Sequence, residues 1–466
     1  MRTFSLLAAS ATAATASRFV VYYDQYHPNA QPSKNVTAGI THVIMAFANS
    51  SLFTTDPGGE YVPFKNVTEV REMFDTTTKV CMAIGGWGDT AGFRVGAASN
   101  SSRALFAKNV AATVDRLGYD CVDVDWEYPG GNGEDYMQIP NQDKAAEIEQ
   151  FPLFLEAIKQ AIGPAKELSI AVPGLRRDMA SLNNNSSAPM IHETVDFVNI
   201  MAYDLMNRRD NVTSHHTSVD GALQAVDSYL SAGFPSDKLN LGFAMYAKWF
   251  TLANGTTCRH GKGCPTALLE AADGSDIGLS GAMTFEASNL APVPSNLTTS
   301  IDGTCGAGTF SKCPDSQCCG QYGFCGFEPG HCGTGCQSGF GHCEGPSITD
   351  SFKKAIAHPR YAWPEGAAWF WDEQTNIFWS WETPELIHLK LAKVVSGRAL
   401  GGVMAWSLAE DSNDWSHLRA MQHGLNNLTG SSYERFGPRT IRTGASGLRA
   451  ALPRRGSWHV PVKDEA

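Results

Sequence analysis

From Asp123, every second residue in the run Asp120-Cys121-Val122-Asp123-Val124-Asp125-Trp126-Glu127 is a carboxylic acid. Val122, Val124 and Trp126 between them are apolar, so the run reads as a buried strand. Successive strand side chains point to opposite faces. Asp123, Asp125 and Glu127 therefore share one face, with Cys121 below them. Stacked acids inside a fold are costly unless they share protons and hydrogen bonds. A shared proton also keeps a carboxyl in its acid form near neutral pH, as a general acid requires. A polar edge strand with its acids in water is disfavoured, because the apolar opposite face would also need cover.

Short β-rich runs alternate with helical patterns along the chain. Strands are expected at 19–23, 42–47, 80–84, 122–127, 168–172, 197–203, 239–246 and 402–407, and helices at 102–117, 144–162, 222–232 and 384–396. This alternation argues for an α/β fold, a (β/α)8 TIM barrel. Catalytic groups of such barrels stand at the C-terminal ends of strands, and Glu127 closes its strand there. The gap between the seventh and eighth expected strands is too long for a loop and must hold inserted structure. Within it, 304–343 is dense in Cys and Gly with almost no aliphatic core, and 292–299 reads as a linker. The expected division is a barrel over 17–249 and 382–430, an α+β insertion over 250–299 and 346–381, and a Cys-rich module over 303–345. Trp369, Phe370, Trp371, Trp379 and Trp381 make the insertion rich enough in aromatics to line a cleft wall, or to form its core.

The 466 residues are 43% hydrophobic and 18% charged, enough for one large domain plus a small one. A formal net charge of -11 argues against nucleic-acid and anionic-membrane partners. Met1-Arg2 followed by an apolar, Ala-rich run predicts a secretory signal peptide over 1–16, and no later stretch is apolar enough to span a bilayer. Acceptor sequons begin at Asn35, Asn49, Asn66, Asn100, Asn184, Asn185, Asn211, Asn254, Asn296 and Asn427. With 12 Cys, mostly clustered, they point to a secreted, extracellular glycoprotein. The Gly-, Arg- and Pro-rich segment 431–466 is expected to be disordered. Its Arg454-Arg455 pair suits either a processing site or a solvated basic tail. No cofactor or metal is expected, and the chain is expected to be a monomer.

Asp120, Asp123, Asp125 and Glu127 resemble the Asp-Gly-x-Asp-x-Asp-x-Glu signature of glycoside hydrolase family 18, the chitinases, with Tyr128-Pro129 following as in many members. Tyr22-Tyr23, Ile84-Gly85-Gly86-Trp87, Met201-Ala202-Tyr203-Asp204 and Gly402-Val403-Met404-Ala405-Trp406-Ser407 resemble its first, third, sixth and eighth strands in order. The resemblance implies that Glu127 protonates the leaving glycosidic oxygen. Asp125 would orient the substrate's N-acetyl group and share a proton with Glu127, and Asp123 would modulate Asp125. Tyr203 would hydrogen-bond the acetamide carbonyl, Asp204 would contact the sugar, and Trp406 would form an apolar floor. Tyr22, Trp87, Tyr128 and Met201 would complete the substrate pocket. Such an enzyme hydrolyses β-1,4 bonds between N-acetylglucosamine units with retention, the acetamide oxygen acting as nucleophile. Rival readings are a chitin-binding lectin on an inactive barrel and an endo-β-N-acetylglucosaminidase. Two positions depart from the family pattern. Ala83 lacks a hydroxyl expected to bond the deepest Asp, and Cys121 replaces the signature Gly. Cys121 and Cys81 both point into the barrel from adjacent strands, as packed thiols or a disulfide, with packed thiols favoured because neighbouring parallel strands rarely suit a bridge.

The run Cys318-Cys319-Gly320-Gln321-Tyr322-Gly323-Phe324-Cys325-Gly326 resembles the hevein-type chitin-binding module. So small a unit needs covalent staples. The resemblance implies bridges Cys305–Cys319, Cys313–Cys325, Cys318–Cys332 and Cys336–Cys343, with Tyr322 and Phe324 as sugar-stacking aromatics. Gly320 stands where a Ser is usual, and His331 where an aromatic is usual. Cys258 and Cys264 are expected to close a separate small loop. The module is thus expected to anchor the chain on insoluble chitin, without affecting cleavage of short soluble oligomers.

Overall fold

The computed structural model describes residues 18–28, 32–343 and 347–429. The expected signal peptide, the Arg454-Arg455 pair and the tail from 431 lie outside the described residues. Strands β1 (Arg18–Asp24), β2 (His42–Ala48), β3 (Lys79–Gly85), β4 (Cys121–Asp125), β5 (Glu167–Pro173), β6 (Phe197–Met201) and β7 (Leu239–Ala244) come first. The chain then departs through β8 (Tyr246–Thr251) and β9 (Ser280–Thr284). The short strands β10 (Thr298–Thr299), β11 (Ser311–Lys312), β12 (Cys318–Cys319) and β13 (Cys325–Gly326) belong to the Cys-rich segment. Strands β14 (Arg360–Ala362), β15 (Ala367–Asp372) and β16 (Ile377–Trp381) follow before β17 (Gly402–Trp406) returns. β1 to β7 and β17 close into a parallel barrel in the order β1-β17-β7-β6-β5-β4-β3-β2.

Alternation along the barrel strands divides the core in two. Val21, Tyr23, Val43, Met45, Val122 and Val124 face outward and pack under the helices. Val20, Tyr22, Ile44, Ala83, Cys121 and Met404 face inward and fill the barrel. The helices carry their own boundary signals. Asn100–Leu117 starts at Ser99, whose side chain and that of Ser102 cap each other's backbone N–H, and stops at Gly118 with φ 75. Its Phe106 packs edge-on against Phe154 of helix Ala145–Ile162, with centroids 4.7 Å apart.

Several expected elements end earlier than periodicity suggested. β4 stops at Asp125, so Glu127 stands two residues beyond the ladder, and β6 stops at Met201, short of Tyr203. The expected strand 239–246 breaks at Met245, whose N–H donates to the Trp406 carbonyl at 2.8 Å. Tyr246 already begins β8, in the five-stranded sheet β14-β15-β16-β8-β9. Trp249, Trp379 and Trp381 form the core of that sheet, and the Trp379 indole N–H donates to Ser351 Oγ at 3.0 Å. Trp369 packs in an adjoining cluster with Trp371 against it, and Phe370 packs on the sheet core. None of these five aromatics lines the cleft.

Cys81 and Cys121 are bridged, which corrects the expectation of packed thiols. They are register partners on β3 and β4, both pointing into the barrel, with Cα atoms 4.4 Å apart. That separation lies at the short edge of the range a disulfide spans. In the Cys-rich module the structure joins Cys305 to Cys319, Cys313 to Cys325, Cys318 to Cys332 and Cys336 to Cys343. Cys258 joins Cys264.

Candidate active site

The C-terminal ends of the barrel strands open into a cleft of about 350 Å³. Asp123 lies beneath it, fully buried. Strand register sets Ala83 on one side of Asp123 and Ser169 on the other. Ser169 Oγ donates to Asp123 Oδ1 at 2.5 Å and the Tyr22 hydroxyl to Oδ2 at 2.7 Å. Asn199 Nδ2 lies 3.4 Å from Oδ1, and Asn240 Nδ2 in turn donates to Asn199 Oδ1 at 3.0 Å. Arg18 Nε donates to Asn240 Oδ1 at 3.0 Å, so a polar chain runs from the acid to the barrel floor. The hydroxyl absent at Ala83 is thus supplied from the opposite neighbour. Burial still raises the Asp123 carboxyl to about 6, against the pull of Ser169, Tyr22 and Asn199.

Asp125 comes next up the column. Its pKa is pushed well above the usual carboxylate range, by burial first and then by the charges of Glu127 and Asp123. Its Oδ1 is buried without a hydrogen-bond partner among the described residues. Glu127 is raised to about 7, chiefly by burial. A hydrogen bond from Tyr128 opposes the rise, the charges of Asp204 and Asp178 add to it, and Arg209 opposes it. Close packing brings β3 against this column. Gly86 N–H donates to the Asp125 carbonyl at 2.9 Å, and a Cβ on Gly85, where φ is +110, would meet that same oxygen at 2.2 Å.

Opposite the acids stand Tyr203 and Asp204. Burial, then the charges of Asp125 and Glu127, raise the Tyr203 phenol far above its ordinary value, so it stays a donor. Its hydroxyl has the Met404 sulfur at 3.7 Å as its hydrogen-bond partner, a weak one that leaves it available to a ligand. Partial burial would raise Asp204, but Lys248, His216 and Tyr246 outweigh that and hold it below its ordinary range. Tyr246 donates to Asp204 Oδ1 at 2.7 Å and Lys248 to Oδ2 at 3.2 Å. Trp406 stacks on Phe47 with centroids 5.5 Å apart and leans on Tyr22 at 5.4 Å. The Arg209 guanidinium lies 3.8 Å over the Tyr136 ring and 5.6 Å over that of Trp87.

Asp125, Glu127, Trp87, Tyr128, Met201, Tyr203, Asp204 and Trp406 line one cleft, and Tyr322 joins them. Asp123 and Tyr22 lie beneath it, bonded to each other, so Tyr22 reaches the acid column instead of the cleft surface. Phe324 and His331 are not part of the lining, and His331 packs against Gly320 and Gly326. Sequence reasoning missed Ser169, Asn199, Tyr246, Lys248 and Arg209. For Ser169 and Asn199 there was a signal: each is a lone polar residue inside an apolar strand run. Two side-chain groups have metal-like spacing among the described residues. Cys305, Cys313 and Cys319 are consumed in disulfides, while Asp24, His27 and Glu410 lie beside Ser407, which bonds both acids.

A model of the glycosyl hydrolases family 18 matches residues 18–411. Chitotriosidase-1 of Mus musculus is 29% identical over 246 residues, covering 48% of this chain and 50% of the relative. Chitinase 1 of Aphanocladium album is 26% identical over 261 residues, covering 49% of this chain and 60% of the relative. The chain thus spans about half the length of the curated relatives it matches. The crystal structure of the Rhizomucor miehei chitinase RmChi1 aligns with a TM-score of 0.60 at 17% identity, covering 87% of this chain and 99% of the other. That alignment shows the same fold.

The raised carboxyl of Glu127 has a thermodynamic consequence. Its proton is held to about 7 in the folded chain, against an ordinary 4.5. The stability this proton contributes is full below 4.5 and is lost as pH rises towards 7. Glu127→Gln should therefore gain melting temperature on the parent as pH rises from 4.5 to 7, measured by thermal unfolding. A difference that stays constant across that window would mean Glu127 titrates as an ordinary surface acid.

Proposed function

The chain belongs to the glycosyl hydrolases family 18, and from that premise we propose that it is a secreted chitinase. It hydrolyses β-1,4 linkages between N-acetylglucosamine units with retention, by a substrate-assisted route. The observation that carries this reading is the intact column Asp123–Asp125–Glu127, buried below and opening into the cleft at Glu127.

In this reading the Glu127 carboxyl, protonated up to about 7, gives its proton to the glycosidic oxygen as the bond to the anomeric carbon breaks. The carbonyl oxygen of the substrate's own acetamide attacks that carbon from the other face. Asp125 accepts from the acetamide N–H and stabilises the positive charge that develops on the cyclised group. Tyr203 donates to the acetamide oxygen and so aims it, and Trp406 supports the apolar face of the sugar ring. Water then attacks the anomeric carbon, breaking its bond to the acetamide oxygen and freeing the acetamide, while the Glu127 carboxylate takes a proton from the water. The two inversions retain the β configuration. No carboxylate nucleophile is required, which suits acids stacked on one strand rather than flanking the bond. The disulfides, the sequons and the apolar N-terminal run all support an extracellular site of action. The described residues include no helix long and apolar enough to cross a membrane.

Incubating the protein with a chitin hexamer and following the anomers by NMR should show β-anomeric products first. Glu127→Gln should lower turnover by about 10²- to 10⁴-fold while binding persists. Tight binding without cleavage in the parent protein would instead indicate a lectin, and α-anomeric products would contradict the substrate-assisted route.

Ser169 gives a second test. Its hydroxyl lowers the Asp123 pKa, so Ser169→Ala should move the acid limb of kcat/KM to higher pH. Ala83→Ser alone should leave the profile in place, because both Asp123 oxygens already hold donors. In the Ser169→Ala background it should restore the limb. A profile that follows Ala83→Ser and ignores Ser169→Ala would contradict the assignment.

A further inference from the structure

The Cys-rich module resembles a free-standing chitin anchor in sequence, but it is not free-standing here. Asp276, in the loop before β9, fastens it. Gln321 Nε2 and the Tyr322 hydroxyl each donate to Asp276 Oδ2 at 3.1 Å, while Gly278 N–H donates to Oδ1 at 2.8 Å. Gln321 Nε2 also donates to the Ser280 carbonyl at 3.1 Å. The two surfaces approach too closely for side chains. A Cβ on Gly281 would lie 1.7 Å from Gln321 Oε1, and one on Gly333 would lie 2.7 Å from the Gly278 carbonyl. A linker-tethered anchor needs no such fit, so the contact fixes the module's orientation.

That orientation brings the tip of the β12–β13 turn to the catalytic cleft. Tyr322 is 67% exposed, yet it lines the same cavity as Glu127, Asp204 and Trp406. Its hydroxyl is held by Asp276, which leaves the ring face open beside the cleft. An apolar ring face with a wetted edge suits the C–H face of a pyranose. A large exposed ring that a hydrogen-bonded tether orients towards a cleft is expected to meet a ligand there.

We propose that the module is the far end of the catalytic cleft, so that a single chain of β-linked N-acetylhexosamines spans Glu127 and Tyr322. The module thereby measures substrate length on soluble oligomers, instead of only holding the protein on an insoluble surface. This inference rests on the reading above for the identity of the sugar.

The test uses the full chain carrying Glu127→Gln, titrated by calorimetry with chitin trimer and hexamer. Tyr322→Ala should reduce the ratio of hexamer to trimer affinity on the order of 5- to 10-fold. Tyr322→Phe, which keeps the ring and gives up the hydroxyl, should retain most of that ratio. An unchanged ratio in Tyr322→Ala, with adsorption to insoluble chitin reduced, would overturn the proposal and leave the module as a separate anchor. Equal losses in both variants would also overturn it, since the hydroxyl tether and not the ring would then be the determinant. Failure of the parent protein to cleave the hexamer would count against the hydrolase reading alone, because the affinity ratio is read without turnover.

Discussion

Placing three carboxyl groups in a column inside a closed barrel is the constraint from which the rest of this structure follows. Asp123 and Asp125 are almost wholly buried, and Glu127 is only slightly more open. Among the described residues no cation neutralises the two lower acids directly. Asp123 is held by hydroxyl and amide donors, while burial and the charges of Glu127 and Asp123 raise the Asp125 pKa well above the carboxylate range. The fold supplies those donors by register. Parallel strands put Ser169 beside Asp123, Asn199 one strand further round, and Tyr22 across the barrel. Burial outweighs the donors in the balance for Asp123 and Glu127, and the outcome is an acid raised to about 7 where it meets the cleft. The same desolvation that lowers stability towards neutral pH suits the group to the proton donation proposed for it.

The barrel and the acid column were legible because both depend on period-two alternation, which survives without tertiary information. The column stood out at Asp123, Asp125 and Glu127 because acids interrupt a buried pattern. Strand ends were less legible. Glu127 and Tyr203 continue the alternation but leave the ladder, since the chain turns over the mouth of the barrel there. The replacement for the missing hydroxyl at Ala83 was not legible, because Ser169 reaches Asp123 only through strand register across 46 residues. The Cys81–Cys121 bridge was misjudged for a related reason: a general rule about neighbouring parallel strands gave way to direct opposition at 4.4 Å. Tyr246 and Lys248 support Asp204 from β8, whose place beside the barrel is set by the insertion and not by local pattern.

The insertion does more than extend the chain. Its sheet buries Trp249, Trp379 and Trp381 as its own core, so the aromatic density that suggested a sugar wall is spent on folding. What it offers the cleft is polar: Lys248 and Tyr246 at one level and Asp276 at another. Asp276 in turn carries Tyr322 to the cleft, so a small disulfide-stapled unit is placed by the subdomain that interrupts it. Barrel, sheet and module thereby contribute side chains to a single cavity.

The central claim is that burial holds a proton on Glu127, at the top of the column, near neutral pH. Difference infrared spectroscopy reads this directly, as the carbonyl stretch of a protonated carboxylic acid followed across a pH titration, with Glu127→Gln and Asp125→Asn used for assignment. The expected result is a protonated-carboxyl band that persists to about pH 7, with a component that disappears in Glu127→Gln. Loss of all such bands by about pH 5, the range of unperturbed carboxyls, would show that these acids ionise freely, and would contradict the account.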